Sequence, residues 1–343
     1  MSSIPKITVL MPVYNCELYI KEAVDSILNQ TFSDFEFIII DDASSDATVS
    51  IIKAYDDPRI QLIQKPQNSG YTNSLNHGLT IAKGEYIARM DGDDISLPER
   101  FAKQVDFLDT NLDVVLCGTL YQVIGEKKVC DHPLIHDEIK VKLISGCYIA
   151  HPTIMFVKAK FDEHKLAYDS EMEPAEDYEL WSRLVFLEKT ANIGQVLLYY
   201  RVHNQQVSRI RNEKQIKVAH QVRITMLQKV IPQLDKELYF FDIQKQGLNL
   251  EFILKKLKRK VNLLDSLILI NGKKGIYEHR MFLQFINNEK KRLYKLYQER
   301  DDVYSFTNVC QILIIFPLFF KKVGLKKTGK FVIKSIFYKK NKK

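Results

Sequence analysis

Four short runs constrain this chain more than any other feature: KITVLMPV (6–13), FEFIIIDD (35–42), RIQLIQ (59–64) and EYIARM (85–90). Each is rich in apolar and β-branched residues and no longer than a buried strand. Between them lie CELYIKEAVDSILNQ (16–30), ATVSIIKAYDD (47–57) and YTNSLNHGLTIAKG (71–84), with apolar residues at helical spacing and Gly84 closing the last. Apolar strands alternating with helices predict an α/β fold: a Rossmann-like, mostly parallel sheet flanked on both faces by helices. Ligands of such sheets bind beyond the carboxyl ends of the strands. Acids collect at those ends, Asp41 and Asp42 after the second run and Asp91, Asp93 and Asp94 after the fourth. The fold itself needs no acids there, so their placement is a functional signal.

The stretch ARMDGDDIS (88–96) puts three carboxylates into four positions. Unit charges 4 Å apart repel by roughly 4 kcal/mol at an effective dielectric near 20. A solvated turn in which Asp94 or Ser96 caps the helix expected over LPERFAKQVDFL explains one acid. A calcium loop requires the DxDxDG order and a later Glu, and both are missing. A sparse D-x-D after a strand suits a shared divalent cation, because Mg2+ and Mn2+ take one or two protein carboxylates and complete their shell with phosphate and water.

With 343 residues, 46% hydrophobic and 27% charged, the chain can bury one large core or two ordinary ones and is not compositionally disordered. Five scattered cysteines without CxxC spacing argue against a disulfide framework or a structural zinc site and point to a reducing compartment. MSSIPKITVLMPVYN reads as a first strand, not a secretory signal. The longest apolar candidate, VCQILIIFPLFF (309–320), falls short of the ~18 residues that a membrane-spanning helix needs. The formal charge of +8 hides a division: residues 1–208 carry 19 basic and 31 acidic side chains, and residues 209–343 carry 31 and 11.

Four motifs stand in order: MPVYNCELYIKEAVDSILNQTFSDFEFIIIDDASSDAT (11–48), NSGYTNSLNHGLTIAKGEYIARMDGDD (68–94), AEDYELWSRL (175–184) and YRVHNQQVS (200–208). Together they resemble the inverting glycosyltransferases of family 2, of the bacterial surface-polysaccharide type. The resemblance covers roughly the first 208 residues. It implies the GT-A fold, a nucleotide-sugar donor, and Mn2+ or Mg2+ held at a DXD motif.

The family pattern also implies roles. PVYN (Pro12, Val13, Tyr14, Asn15) brings backbone groups and the Tyr14 ring to the nucleobase, and Asp42 accepts from a base N–H. A carboxylate only accepts, so Asp42 suits uracil or thymine. Read physically, DDASSD is also a turn in which Ser44, Ser45 or Asp46 caps the next helix, leaving Asp42 free. Asn68, Gly70 and Asn76 line the donor site, with glycine permitting close backbone approach. By resemblance Asp93 is the direct metal ligand, Asp91 sits near the ribose or reaches the metal through water, and His203 completes the metal or phosphate shell. Many relatives carry an Arg where this chain has Leu75, which leaves Arg89 and Arg201 as candidates for positive charge near the diphosphate. Asp177 is the implied catalytic base and Glu176 helps to hold the acceptor, although acids after Pro174 also favour a helix dipole. His151 and Trp181 fall at the acceptor pocket. The QxxRW signature of processive members is absent, which argues for adding one sugar or few.

Beyond residue 208, EKQIKVAHQVRITMLQKVI (213–231), LEFILKKLKRKVNLLDSLILI (250–270) and EHRMFLQFINNEKKRLYKLYQE (278–299) read as long basic amphipathic helices. Gly272 and Gly275 bracket a lysine-rich turn between the last two. The expected organisation is a catalytic domain (1–208), a basic helical region (209–302) and a membrane-associating tail (303–343) with ten lysines and no acid. Lysines interleaved with FPLFF and FVIKSIFY fit an anionic membrane surface, and no nucleic-acid module is recognisable. The expected place is cytoplasmic, peripheral on the inner face of the cell membrane, with a lipid-linked oligosaccharide as acceptor. A metal-dependent nucleotidyltransferase and a non-catalytic nucleotide-sugar or nucleic-acid binding module are the alternatives. Oligomeric state stays open.

Overall fold

The computed structural model describes residues 4–203, 212–242, 244–245, 249–299 and 310. The chain divides into two compact units, Met1–Arg223 and Ile224–Lys343. The first runs β1 (Ile7–Val13), α1 (Ile20–Leu28), β2 (Phe35–Asp41), α2 (Thr48–Lys53), β3 (Ile60–Gln64), α3 (Tyr71–Ile81), β4 (Tyr86–Arg89), β5 (Ile95–Ser96), α4 (Arg100–Thr110), β6 (Val114–Val123), α5 (His136–Lys142), β7 (Met155–Val157), α6 (Lys158–Glu163), α7 (Glu176–Leu184) and β8 (Lys189–Tyr200). The four apolar runs form β1 to β4, and the three segments between them form α1 to α3.

All eight strands join one sheet in the order β3-β2-β1-β4-β7-β6-β8-β5. β1 lies parallel to β2 and β4, and β2 lies parallel to β3. The expectation of a mostly parallel sheet holds fully in this half, while the other half is mixed. β7 runs antiparallel to both β4 and β6, and β5 antiparallel to β8, while β6 and β8 are parallel. The fold is therefore a mixed α/β sheet flanked by helices. Strands as short as Met155–Val157 and Ile95–Ser96 have no periodicity that could announce their direction.

Every residue of β1 is buried, and Val9, Met11, Phe37 and Ile39 pack with Ile20, Val24 and Ile27 of α1 and Phe101 of α4. Burying each such side chain contributes about 1.5–3 kcal/mol. Gly84 is not the cap of α3, which ends at Ile81 with Ala82 beyond it. Its N–H donates to Thr8 Oγ1 (2.8 Å), and a Cβ there would stand 2.3 Å from Thr8 N. Close approach to β1 is what requires glycine.

Arg100 of α4 is fully buried behind the end of β4. It donates to the carbonyls of Arg89 (2.7 Å) and Ile154 (3.1 Å) and, through Nε, to Gln104 Oε1 (3.0 Å). Gln104 Nε2 in turn reaches Thr153 O (2.9 Å). This clasp fixes where β4 delivers the aspartate turn.

The second unit is helical. Following α8 (Asn212–Gln228), within which the division falls, it contains α9 (Lys236–Tyr239), α10 (Leu250–Lys274) and α11 (His279–Gln298). Gly272 belongs to the last turn of α10, and Gly275 ends that helix in the left-handed region at φ 65°. Asn271 exchanges two hydrogen bonds with the backbone of Tyr277 (2.9 and 3.1 Å), which closes the α10–α11 hairpin. Among the described residues, no helix is long and apolar enough to cross a membrane. The expected tail, 303–343, lies outside the described residues apart from position 310, as do positions 204–208.

Candidate active site

The turns that follow β1 and β2 bolt to each other at the sheet rim. Asn15, at φ 50°, donates its N–H to Ser44 Oγ (2.9 Å) and accepts from Ser45 N (2.9 Å) at Oδ1. Glu17 N donates to Asp46 Oδ2 (3.0 Å), and Ala47 N donates to Glu17 Oε2 (2.8 Å). Ser44 and Ser45 thus serve Asn15, while Asp46 takes the Thr48 N–H (3.0 Å) at the start of α2. Pro12 and Val13 close β1, and Tyr14 stands beyond them, 48% exposed.

Asp42 is buried and engaged, which corrects the reading that left it free. Its carboxylate meets Lys65 Nζ (2.7 Å), Ser69 N (3.1 Å) and Gly70 N (2.9 Å). Burial pushes its pKa up, but Lys65 and these N–H groups outweigh that and hold it below the ordinary range. Asn68 Oδ1 accepts from Gly70 N (3.1 Å), and Gly70, at φ 92°, opens α3. A Cβ on Gly70 would come within 3.3 Å of Glu173 Oε2. Asn76, expected to line the donor site, has its amide engaged elsewhere. Its Nδ2 donates to Tyr168 O (2.8 Å) and its Oδ1 accepts from Tyr168 N (3.0 Å), so both ends of the amide hold α3 to that segment.

After β4, Asp91, Asp93 and Asp94 bring carboxylate oxygens within 4.8 Å of one another. Arg89 is buried and grips Asp91 through two nitrogens, each at 2.5 Å. Asp93 Oδ2 lies 2.9 Å from His203 Nε2. Asp94 is fully buried; Oδ1 accepts from Arg201 N (2.8 Å) and Oδ2 has no hydrogen-bond partner. It therefore caps nothing, Ser96 Oγ accepts from Gln30 Nε2 (3.1 Å), and α4 starts without a side-chain cap. Arg201 Nε donates to Asp93 O (2.8 Å) and its guanidinium pairs with Glu22. The two arginines expected beside the diphosphate are thus engaged by protein groups, Arg89 by the Asp91 carboxylate and Arg201 by the Asp93 carbonyl and the Glu22 carboxylate.

Burial first, and the Asp91 charge second, push the pKa of Asp93 up and that of Asp94 well up. Crowded hard oxygens, one of them buried without a partner, form a donor set that fits a divalent cation. Asp94 joins this set although the sequence pointed only to Asp91, Asp93 and His203.

Across the basin, α7 begins with two acids. Glu176 is 6% exposed; Oε1 lies 3.9 Å from His151 Nδ1, and Oε2 has no hydrogen-bond partner. Burial and then the Asp177 charge push it up to about 8. Asp177 Oδ1 accepts from Tyr178 N (2.6 Å), and Cys147 Sγ stands 3.8 Å from its Oδ2. Burial raises Asp177 as well, against the lowering by the Tyr178 N–H and Arg89. Arg89, which grips Asp91, also lies 5.2 Å over the Tyr71 ring, and Tyr71 and Glu176 both approach His151 Nδ1, so a chain of contacts links the two acidic groups.

His151 is enclosed by hydroxyls, with Nε2 2.9 Å from Tyr168 Oη and Nδ1 3.3 Å from Tyr71 Oη. Burial, then Arg89, drives its pKa well down, so the imidazole stays neutral. Trp181 is a core ring with no exposure, not a surface for an acceptor. It lies on the buried face of α7 with Leu180 and Leu184 and meets His151 edge-on at 5.9 Å. Lys65, Tyr71, Arg100, Cys147 and Tyr168 were not anticipated. Lys65 follows β3 directly, the same strand-end position that singled out the aspartates; the other four carry no local signal.

Residues 8–164 match the family described as Glycosyl transferase family 2. The chain is 34% identical over 237 residues to an uncharacterized glycosyltransferase of Haemophilus influenzae, covering 65% of this chain and 73% of that protein. It is 35% identical over 211 residues to the O-antigen biosynthesis glycosyltransferase WbnJ of Escherichia coli, 58% of this chain and 80% of that one. Among solved structures, S. aureus TarS 1-349 in complex with UDP-GlcNAc superposes with a TM-score of 0.58 at 16% identity, over 88% of this chain and 93% of that one. That likeness is one of fold. The sequence identities reach further: this chain is an enzyme, a glycosyltransferase, and belongs to glycosyl transferase family 2.

Proposed function

We propose that this glycosyltransferase moves a single sugar from a UDP-linked donor, with inversion, to a lipid-linked glycan during assembly of a bacterial surface polysaccharide. The carrying observation is a chain of contacts from the aspartate turn to α7: Arg89 grips Asp91 and lies over the Tyr71 ring (5.2 Å), whose hydroxyl stands 3.3 Å from His151 Nδ1, itself 3.9 Å from Glu176 beside Asp177. TarS was solved with UDP-GlcNAc, and WbnJ is described as an O-antigen enzyme, which supports the donor and acceptor classes.

Asp177 takes the proton of the acceptor hydroxyl. That oxygen then bonds to the anomeric carbon as the bond to the donor's phosphate oxygen breaks, and the nucleoside diphosphate leaves. Mn2+ or Mg2+ on Asp93, with Asp91, Asp94 and His203, would supply charge neutralisation for that leaving group. Glu176, kept protonated near neutral pH, adds a donor beside the base and helps to hold the acceptor. Asp42 retains lone pairs for a nucleobase N–H, with Pro12, Val13, Tyr14, Asn15, Asn68 and Gly70 around it. The division of labour belongs to the same proposal: residues 1–208 catalyse, the helices follow, and 303–343 bind the anionic inner face of the cell membrane.

The test is release of UDP from UDP-sugars in the presence of Mn2+, abolished by EDTA. Release of pyrophosphate instead would identify a nucleotidyltransferase, and no release from any UDP-sugar would remove the donor assignment. For the membrane, the full chain should float with vesicles rich in phosphatidylglycerol and stay behind with phosphatidylcholine alone; equal behaviour with both would remove that part.

A further inference from the structure

His203 reaches the aspartate turn from beyond the end of the sheet. β8 stops at Tyr200, and Arg201 and His203 follow it. Among the described residues this short stretch is held from two sides. One side is the aspartate turn: Asp94 Oδ1 accepts from Arg201 N (2.8 Å), the Asp93 carbonyl accepts from Arg201 Nε (2.8 Å), and His203 Nε2 lies 2.9 Å from Asp93 Oδ2. The other side is the start of α1. The Tyr19 and His203 rings meet at 4.9 Å between centroids, tilted by 37°, and the Arg201 guanidinium lies 4.8 Å over the same Tyr19 ring. Glu22, three residues on and so on the same side of the helix, pairs with that guanidinium.

A cation acts differently on the two sides. An ion on Asp93 takes a carboxylate that His203 now faces, so that contact has to be exchanged. The contacts from α1 involve none of the three aspartates. Tyr19 is also fixed from behind: Tyr19 N and Ile20 N both donate to Cys16 O (2.9 Å each), and Ile20, Ala23, Val24 and Ile27 anchor α1 in the core. Tyr19 itself is half-buried and lies outside the core cluster. A tilted ring pair and a guanidinium over an aromatic face are both attractive, and both use the ring and not its hydroxyl. A ligand fixed beforehand loses less freedom when the ion binds, which is why the groups behind metal ligands weigh on affinity.

We propose that Tyr19 is a positioning residue for the cation site, holding His203 in place before the ion arrives. This rests on reading Asp91, Asp93, Asp94 and His203 as the cation's ligands. The experiment is calorimetric titration of Mn2+ into the full-length protein with UDP present, with urea midpoints to check folding. Tyr19→Leu should weaken Mn2+ binding about tenfold, whereas Tyr19→Phe, which keeps the ring, retains it. In a His203→Ala background the leucine change should cost less than about twofold, because its route to the ion is gone. Unchanged affinity in folded Tyr19→Leu, an equal loss in Tyr19→Phe, or the same loss without His203 overturns the role. Should Tyr19→Leu not fold, the imidazole C–H signals of His203, assigned through His203→Ala, decide the matter. They should lie upfield in the wild type, shielded by the Tyr19 ring, and stay there with Mg2+ and UDP. Unshielded signals, or shielding lost when Mg2+ and UDP are added, overturn the role too. A wild type that binds no Mn2+, or a His203→Ala variant that binds it as tightly, would overturn the ligand assignment instead.

Discussion

Glu176→Gln isolates one buried proton. The carboxyl is 6% exposed, its Oε2 meets no hydrogen-bond partner, and the next residue is another acid. Burial, with the Asp177 charge behind it, raises its pKa from 4.5 to about 8. Between those two values the folded protein holds one proton more than the unfolded chain. Stability therefore falls as pH rises, by at most about 1.4 kcal/mol per unit for a single group. The contribution is fully present below the unfolded pKa and is lost by the time pH passes the folded one. From pH 6 to pH 7.5 the loss is about 2 kcal/mol. Gln is nearly isosteric and cannot ionise, so the variant lacks this dependence, and its stability relative to wild type should climb by that amount over the same range. Urea unfolding at several pH values, followed by fluorescence of Trp181, the only tryptophan, measures it directly. A difference that stays constant between pH 6 and 7.5 would refute the reasoning, since the carboxyl would then be ionised in the folded protein.

Asp177→Asn keeps an oxygen for the Tyr178 N–H and removes the base, so transfer should fall by about 10²–10⁴-fold with UDP affinity unchanged; full activity means another base. Because burial raises Asp177, the acid limb of the wild-type transfer profile should lie above the ordinary aspartate value, and activity should drop as pH falls through it. Neutralising Asp91 and Asp93 together should make calorimetric UDP affinity indifferent to EDTA, and an EDTA response that survives the double change would place the cation elsewhere. Gly84→Ala forces a Cβ to 2.3 Å from Thr8 N and should cost about 1–3 kcal/mol in urea unfolding; an unchanged midpoint would mean that β1 shifts freely.

The parallel half of the sheet was legible because β1, β2 and β4 are long enough to carry an apolar pattern, and the strand-end rule then located Asp42, Asp91 and Asp93. The mixed half was not, since β5 and β7 are too short to show a period. Asn76 and Trp181 illustrate a different limit. Both lie inside the motifs that carry the family resemblance, yet one is spent on the Tyr168 backbone and the other on the core, and only partners distant in sequence reveal this. The amphipathic helices α10 and α11 were readable from their spacing, but the Asn271–Tyr277 clasp between them was not.

The sequence by itself determined β1 to β4, the helices between them, the long helices beyond residue 208 and that acids stand at the sheet rim, because periodicity and position along a strand are local properties. Tertiary structure alone decided what those acids face. Arg89 neutralises Asp91, His203 arrives at Asp93 from 110 residues away, and Cys147 meets Asp177. Burial, which sets the protonation of Glu176 and the neutrality of His151, is a collective property of the packed chain, and no short stretch of sequence contains it.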